Sequence, residues 1–215
     1  MRKEGFGIIA VLVLFGALFG YLYFHYDNIL MAVFAGMTLF LAVFSVYFFR
    51  DPLRKPPSDT GVIVSPADGR VVEIVEIEEP VFVKEKTTRV AIFLSLFNVH
   101  VNYVPLAGVV DYIKYSRGKY LRADRPEASE ENVHTFIGLK TEHGKLAFKQ
   151  SVGMIARRII CYLRLGDQVT TGQKFGLMKF GSRMEVYLPS WATVKVKKGD
   201  RLRAAESVIA TINEK

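Results

Sequence analysis

The chain has little of what many catalytic and structural sites require. In 215 residues there is one cysteine, Cys161, one tryptophan, Trp191, and four histidines. A single thiol excludes an intrachain disulfide framework and is compatible with a reducing compartment. His25, His100, His134 and His143 do not cluster with cysteines or carboxylates at metal-ligand spacing, so no metal is expected. Acidic residues are outnumbered, 21 against 29 Lys and Arg, and the net charge of +8 favours anionic partners. Behind residue 55 there is almost no amphipathic helical periodicity, the stretch from Met154 to Arg158 being the one candidate, which excludes an all-α domain. Charge itself is missing from two long runs, Phe6 to Phe24 and Ile29 to Phe49.

Each uncharged run is long enough to cross a bilayer core of about 30 Å as a helix. Only His25-Tyr26-Asp27-Asn28 separates them, which predicts a tight antiparallel hairpin, with Gly16, Ala17 and Gly20 suited to the helix–helix contact. The first run exceeds the apolar core of a cleaved signal peptide and a second follows at once, so residues 1–55 read as an anchor. Arg2 and Lys3 precede the pair, Arg50, Arg54 and Lys55 follow it, and the link has no Lys or Arg. The positive-inside rule then places both ends in the cytoplasm, with residues 56–215 on that side of the cell membrane.

That second domain begins behind Pro56-Pro57-Ser58 and is strand-rich. "GVIVSPADGRVVEIVEI" is two apolar runs about a turn, and "TTRVAIFLSLFNVHVNYVP" is an apolar strand followed by alternation that sets His100 and Asn102 on one face. "GVVDYIKYSRGKY" reads as a strand entering a basic loop, and "FIGLKTEHGKLAFKQSVG" as a hairpin turning at Glu142-His143-Gly144. An internal echo joins "YLRLGDQVTTGQKFG" from Tyr162 to "VKVKKGDRLRAAESVIA" from Val194: strand, Gly-Asp turn, then Gly172 or Ala205 where the chain bends back. The echo resembles the half-repeats of biotinyl and lipoyl carrier domains. The expected fold is therefore mostly β, a barrel-sandwich behind a helical hairpin.

One stretch does not fit ordinary strand chemistry. "LMKFGSRMEVYLP" places Gly181-Ser182-Arg183 at the head of an alternating run. With "FFRDPLRKPP", "SPADG", "FNVHVNYVPLAG" and "ASEENVHT" in the same order, residues 47 to 189 resemble phosphatidylserine decarboxylase proenzymes of the short bacterial and archaeal form, whose cleavage motif is Gly-Ser-Arg. The resemblance implies self-cleavage between Gly181 and Ser182, conversion of Ser182 to a pyruvoyl cofactor, and decarboxylation of a serine phospholipid, phosphatidylserine or archaetidylserine, through a Schiff base. It makes His100 the acid–base residue and Asp68 its motif aspartate, here read as a carboxylate holding the imidazole tautomer. The fragments 1–181 and 182–215 are expected to stay together. Where many members have a further histidine, this chain has Phe97.

Other residues take weaker expectations. Arg157, Arg158 and Arg183 are candidates for the lipid phosphate or carboxylate, and Asn132, with His134 behind it, for the site's edge. "KYSRGKYLRADR", Lys114 to Arg125, interleaves tyrosine with positive charge; next to two apolar spans it points to anionic headgroups rather than nucleic acid. A competing reading makes Lys179, in Met178-Lys179-Phe180, the modified lysine of a membrane-tethered biotin or lipoate carrier.

Overall fold

The computed structural model describes residues 2–124, 128–154, 158–178 and 182–213, the side chain of Ala128 excepted. It divides into two compact units, Met1–Leu53 and Arg54–Lys215. In the first, helices α1 (Phe6–Tyr26) and α2 (Ile29–Phe48) form an antiparallel pair. The turn is shorter than the sequence suggests, because His25 and Tyr26 complete α1. Asp27 then takes a left-handed conformation (φ 47°), and the Asn28 side chain caps α2 by accepting the Leu30 N–H at 3.0 Å. Gly16 lies close against the Thr38 hydroxyl and Phe19 packs on Phe34, whereas Gly20 meets nothing nearby. Both helices are long and apolar enough to cross a membrane, with mean hydropathies of 2.3 and 2.5.

Among the described residues the second unit is built of strands, apart from a one-turn helix, α3 (Ala128–Glu131), that sequence periodicity does not announce. The helical candidate at Met154–Arg158 includes residues 155–157, outside those described. The strands are β1 (Val62–Val64), β2 (Gly69–Glu79), β3 (Glu85–Leu94), β4 (Val101–Tyr103), β5 (Gly108–Ser116), β6 (His134–Thr141), β7 (Gly144–Val152), β8 (Ile159–Cys161), β9 (Gln168–Val169), β10 (Lys174–Met178), β11 (Ser182–Pro189), β12 (Ala192–Val194), β13 (Arg201–Leu202) and β14 (Val208–Ile212). An eight-stranded antiparallel sheet runs β13-β2-β3-β11-β7-β6-β5-β9, and two three-stranded sheets run β1-β14-β12 and β4-β10-β8. The main core lies on one face of the large sheet. Ile92, Leu94, Leu146, Phe148, Met184, Val186 and Leu188 are sealed from solvent there, each contributing about 1.5–3 kcal/mol by burial.

The large sheet reads the same from both ends, and the reason is an internal repeat. An inner repeat, β4–β10, is inserted into an outer one made of β1–β3 and β11–β14, between β3 and β11. The correspondence is residue-specific. Val64 N–H donates to Pro105 C=O, and Tyr103 N–H to Pro66 C=O. Gly69 and Gly108 both lack room for a Cβ against a carbonyl of the next strand, those of Phe93 and Lys140. β2 and β5 carry register shifts at matching places, Val71/Glu73 and Val110/Tyr112. Gly166 and Gly199 take positive φ in the paired Gly-Asp turns, as do Gly172 (75°) and Ala205 (62°) beyond them. The echo seen in the sequence is thus the C-terminal part of a longer duplication.

Candidate functional site

Antiparallel alternation collects the motifs. β3, β7 and β5 end at one edge of the large sheet; β2, β11 and β6 begin there. Ser182 lies between Leu94 and Val152, Arg70 is paired with Phe93, and Ser116 with His134. Segments far apart in sequence therefore meet at that edge: Ser-Pro-Ala-Asp before β2, the Asn98–His100 loop after β3, the Asn132 segment before β6, and Ser182 at the head of β11.

Ser182 points to the core face of β11 along with Met184, Val186 and Leu188. It is sealed from solvent, and its hydroxyl has no hydrogen-bond partner among the described residues. A buried, unsatisfied hydroxyl is costly, by about 1–3 kcal/mol, so stability does not account for a serine at this position. Gly181 and Lys179 lie outside the described residues, as does Arg157.

His100 is fully buried, and its main chain is bound to the strand that leads to the Gly-Ser step, the Met178 N–H donating to the His100 carbonyl at 3.2 Å. Its Nδ1 lies 2.9 Å from the Asn98 carbonyl. A carbonyl only accepts, so Nδ1 carries a proton, and in the neutral tautomer that this selects the lone pair is on Nε2. The expected hydrogen bond from His100 to the Asp68 carboxylate is not formed. The Asn98 carbonyl takes that orienting role, and Asp68 accepts from one Arg54 nitrogen, Nη2, at both of its oxygens (2.9 and 2.8 Å) and from the Ala204 N–H at 2.8 Å. Arg54 also reaches Glu206 at 3.3 Å. The basic motif after the apolar helices is thereby fastened to the aspartate motif.

Asn102 follows His100 on the same strand face, and its carboxamide oxygen accepts from Gln150 Nε2 at 2.9 Å. Both amides are sealed from solvent, yet Asn102 Nδ2 and Gln150 Oε1 have no partner among the described residues. Gln150 is a diagonal neighbour of Ser182 across β7 and β11, within reach of a long side chain. Asn132 is fully used in holding the edge together: it accepts from the Leu121 N–H and donates to the Leu121 and Val152 carbonyls. It braces the Val152 end of β7 and offers no spare donor to a ligand. His134 is packed behind it, Nδ1 2.7 Å from the Asn132 carbonyl, and burial lowers its basicity despite that contact.

Arg183 points to the opposite face. It is fully buried, with Nε donating to Glu185 at 2.6 Å and Nη2 to Glu73 at 3.0 Å. Glu185 also accepts from Lys149 (2.7 Å), Ser129 (3.0 Å) and Tyr187 (2.8 Å), while Arg89 pairs with Glu73 and Ser129. Burial alone would raise the Glu185 carboxyl, but Lys149 and Arg183 beside it hold it down to about 2. Burial lowers the Lys149 ammonium and raises the Tyr187 phenol well above its ordinary value. Arg183 is thus a strand clamp rather than a group open to lipid. Of the arginine candidates, Arg158 is exposed on the loop after β7. The network was not anticipated, although alternation along "SRMEVY" sets Arg183, Glu185 and Tyr187 on one face and signals it.

Comparison with known proteins agrees with the motifs. The family model described as phosphatidylserine decarboxylase matches residues 41–210. Proteins named phosphatidylserine decarboxylase proenzyme include one from Salinibacter ruber, 47% identical over 184 residues (82% of this chain, 81% of the relative). Another, from Symbiobacterium thermophilum, is 42% identical over 213 residues (99% and 95%). A third, from Desulfotalea psychrophila, is 42% identical over 175 residues (81% and 82%). With a buried serine heading β11 where its motifs converge, and relatives matched over most of its length, the chain belongs to the phosphatidylserine decarboxylase family.

Proposed function

We propose that the protein is a self-processing, pyruvoyl-dependent decarboxylase of a serine phospholipid, cleaved between Gly181 and Ser182. The observation that carries this reading is the placement of Ser182: first residue of a central strand, buried, its hydroxyl unengaged, at the edge shared by the aspartate, histidine and asparagine motifs. In the first step the Ser182 hydroxyl attacks the Gly181 carbonyl. The peptide C–N bond breaks, an ester C–O bond forms, and the hydroxyl proton passes through a base to the new amine. Elimination then releases residues 1–181 as a carboxylate, and addition of water with loss of ammonia leaves a pyruvoyl group at residue 182. That group supplies an electron sink for the bond lost with carbon dioxide.

The chain's own residues hold and move protons. His100, its Nδ1–H fixed by Asn98, presents the Nε2 lone pair as proton acceptor and, once charged, as donor. Asp68 acts at one remove by fixing Arg54 and the Ala204 turn, and so the start of β2. The clamp on Arg183 and Glu185 holds the strand after the cut. In this reading α1 and α2 span the membrane with both ends cytoplasmic, the β unit is a barrel-sandwich like those of biotinyl domains, and the tether keeps the site near its lipid.

Ser182→Ala tests the proposal. Wild type should give masses for 1–181 and 182–215, the smaller reactive towards hydrazine, and carbon dioxide from phosphatidylserine vesicles. The variant should remain one chain without activity. A single wild-type chain with full activity and no reactive carbonyl would refute it.

A further inference from the structure

We propose that the site end of the β unit docks onto the surface of an anionic bilayer through Phe97, Met154 and Tyr120. This rests on the reading above that the substrate is a serine phospholipid. All three side chains are exposed, by 65%, 60% and 41%. Phe97 lies three residues past Leu94 and Met154 two past Val152, the two residues that flank Ser182. Tyr120 lies on the loop that Asn132 fastens to the Val152 carbonyl through Leu121. Single exposed apolar residues are ordinary, but here three leave one sheet edge, the edge that carries the reacting serine. An aromatic ring, a tyrosine and a flexible methionine are residue types that settle at a lipid–water boundary.

Charge completes the match. Lys114, Arg117 and Arg158 are exposed at this edge and form no ion pair among the described residues, while Lys119 and Arg122 are paired with Glu131 and Asp124. Unpaired cations around an apolar rim suit phosphatidylserine headgroups, and their attraction is screened by salt. The far end of β7, nine residues away or about 30 Å, is the Glu142-His143 turn. Leu165, 66% exposed, lies towards that end and is a matched apolar control. Docking at the Ser182 edge brings headgroups to the serine while acyl chains stay in the bilayer.

The test uses the full chain in phosphatidylserine-containing vesicles, on a Cys161→Ser background, with single cysteines at 97, 154, 142 and 165. Each carries an environment-sensitive fluorophore, and the vesicles contain spin-labelled lipid. Quenching at 97 and 154 should exceed that at 142 and 165 several-fold and weaken as salt rises from about 0.05 to 0.5 M. Equal quenching at all four positions, or stronger quenching at 142 and 165, would overturn the proposal. Phe97→Glu with Met154→Glu should raise the apparent KM for vesicle-borne phosphatidylserine about tenfold. It should leave turnover of a monomeric short-chain phosphatidylserine unchanged; equal loss on both substrates would also overturn it. Quenching is read without decarboxylation, so a docked but inactive wild type would support the surface and count against the reaction.

Discussion

Leu94 faces Ser182 across β3 and β11 as Thr141 faces Gly144 across β6 and β7. In the inner repeat only Glu142 and His143 join the two strands; in the outer repeat the whole inner repeat intervenes. The same exchange recurs around that corner. Asp68 stands where the inner repeat has Ala107, and Ser182 where it has Gly144. Conversely, the inner repeat supplies His100, Asn102 and Gln150 at the site, and their counterparts at the opposite corner are Gly61, Ile63 and Leu188. Even the supporting bond is kept: Met178 N–H to the His100 carbonyl corresponds to Ile212 N–H to the Gly61 carbonyl. One framework thus carries a polar corner and a plain one. The plain corner is what the fold needs; in the proposed reading the difference is what the chemistry adds.

Exchanging residues between the corners tests that division. Asp68→Ala, which installs the counterpart of Ala107, should have the largest effect. It leaves Arg54 Nη2 and the Ala204 N–H without their acceptor, at about 3–5 kcal/mol for a broken, largely buried pair. Self-cleavage should slow by about 10²-fold or more, followed by intact mass against time. Ala107→Asp should leave cleavage unaltered. Next is the clamp on the other face of β11. With Glu185 at about 2 when folded, against an ordinary 4.5, it binds fewer protons in the folded state. Its contribution, about 3 kcal/mol, is present above pH 4.5 and is lost as pH falls towards 2. Denaturant midpoints measured down the acid limb should follow that window in wild type, and Glu185→Gln should remove this contribution.

Smaller effects belong to the core. Asn102→Ile with Gln150→Leu reproduces the Ile63 and Leu188 pair and removes two unsatisfied buried atoms. Stability should rise by about 1–3 kcal/mol, read as a higher melting temperature, while self-cleavage slows. A variant equally stable and equally fast would make the amides ordinary packing. Ala205→Gly places glycine at a φ of 62°, where its counterpart Gly172 already sits at 75°, and should stabilise by about 1 kcal/mol or less. Gly172→Ala should destabilise, because a Cβ there would lie 2.2 Å from Pro56.

Much of this was legible in sequence because its signals are local. Two uncharged runs give the helices, alternation gives β3 and β6–β7, and an out-of-place Gly-Ser-Arg marks the head of β11. The Gly-Asp echo is local too. The rest of the duplication was harder to see, since "SPADG" and "VPLAG" share only proline and glycine, spaced alike before a valine-rich strand. Partner choice was not legible at all. Nothing in spacing says that Asp68 goes to Arg54, or that a backbone carbonyl orients His100; those follow from where the strands pair. Arg183 is half legible: Glu185 shares its strand face two residues on, whereas its second carboxylate, Glu73, is remote in sequence.

If the chain is cut at Gly181-Ser182 as proposed, nesting one repeat inside the other has a consequence for the processed protein. β11 lies between β3 and β7, β13 pairs with β2, and β14 with β1, so the short piece is woven through the long one. Before the cut, those strands find their partners within one chain at a high effective concentration. After it, the assembled pieces hold together, but once unfolded they must meet by diffusion. Refolding of the mature protein from denaturant should therefore depend on concentration, whereas uncleaved Ser182→Ala should refold at a rate independent of it. In that reading the uncut chain is the form that folds, and cleavage would turn an equilibrium structure into one that persists mainly because it unfolds slowly.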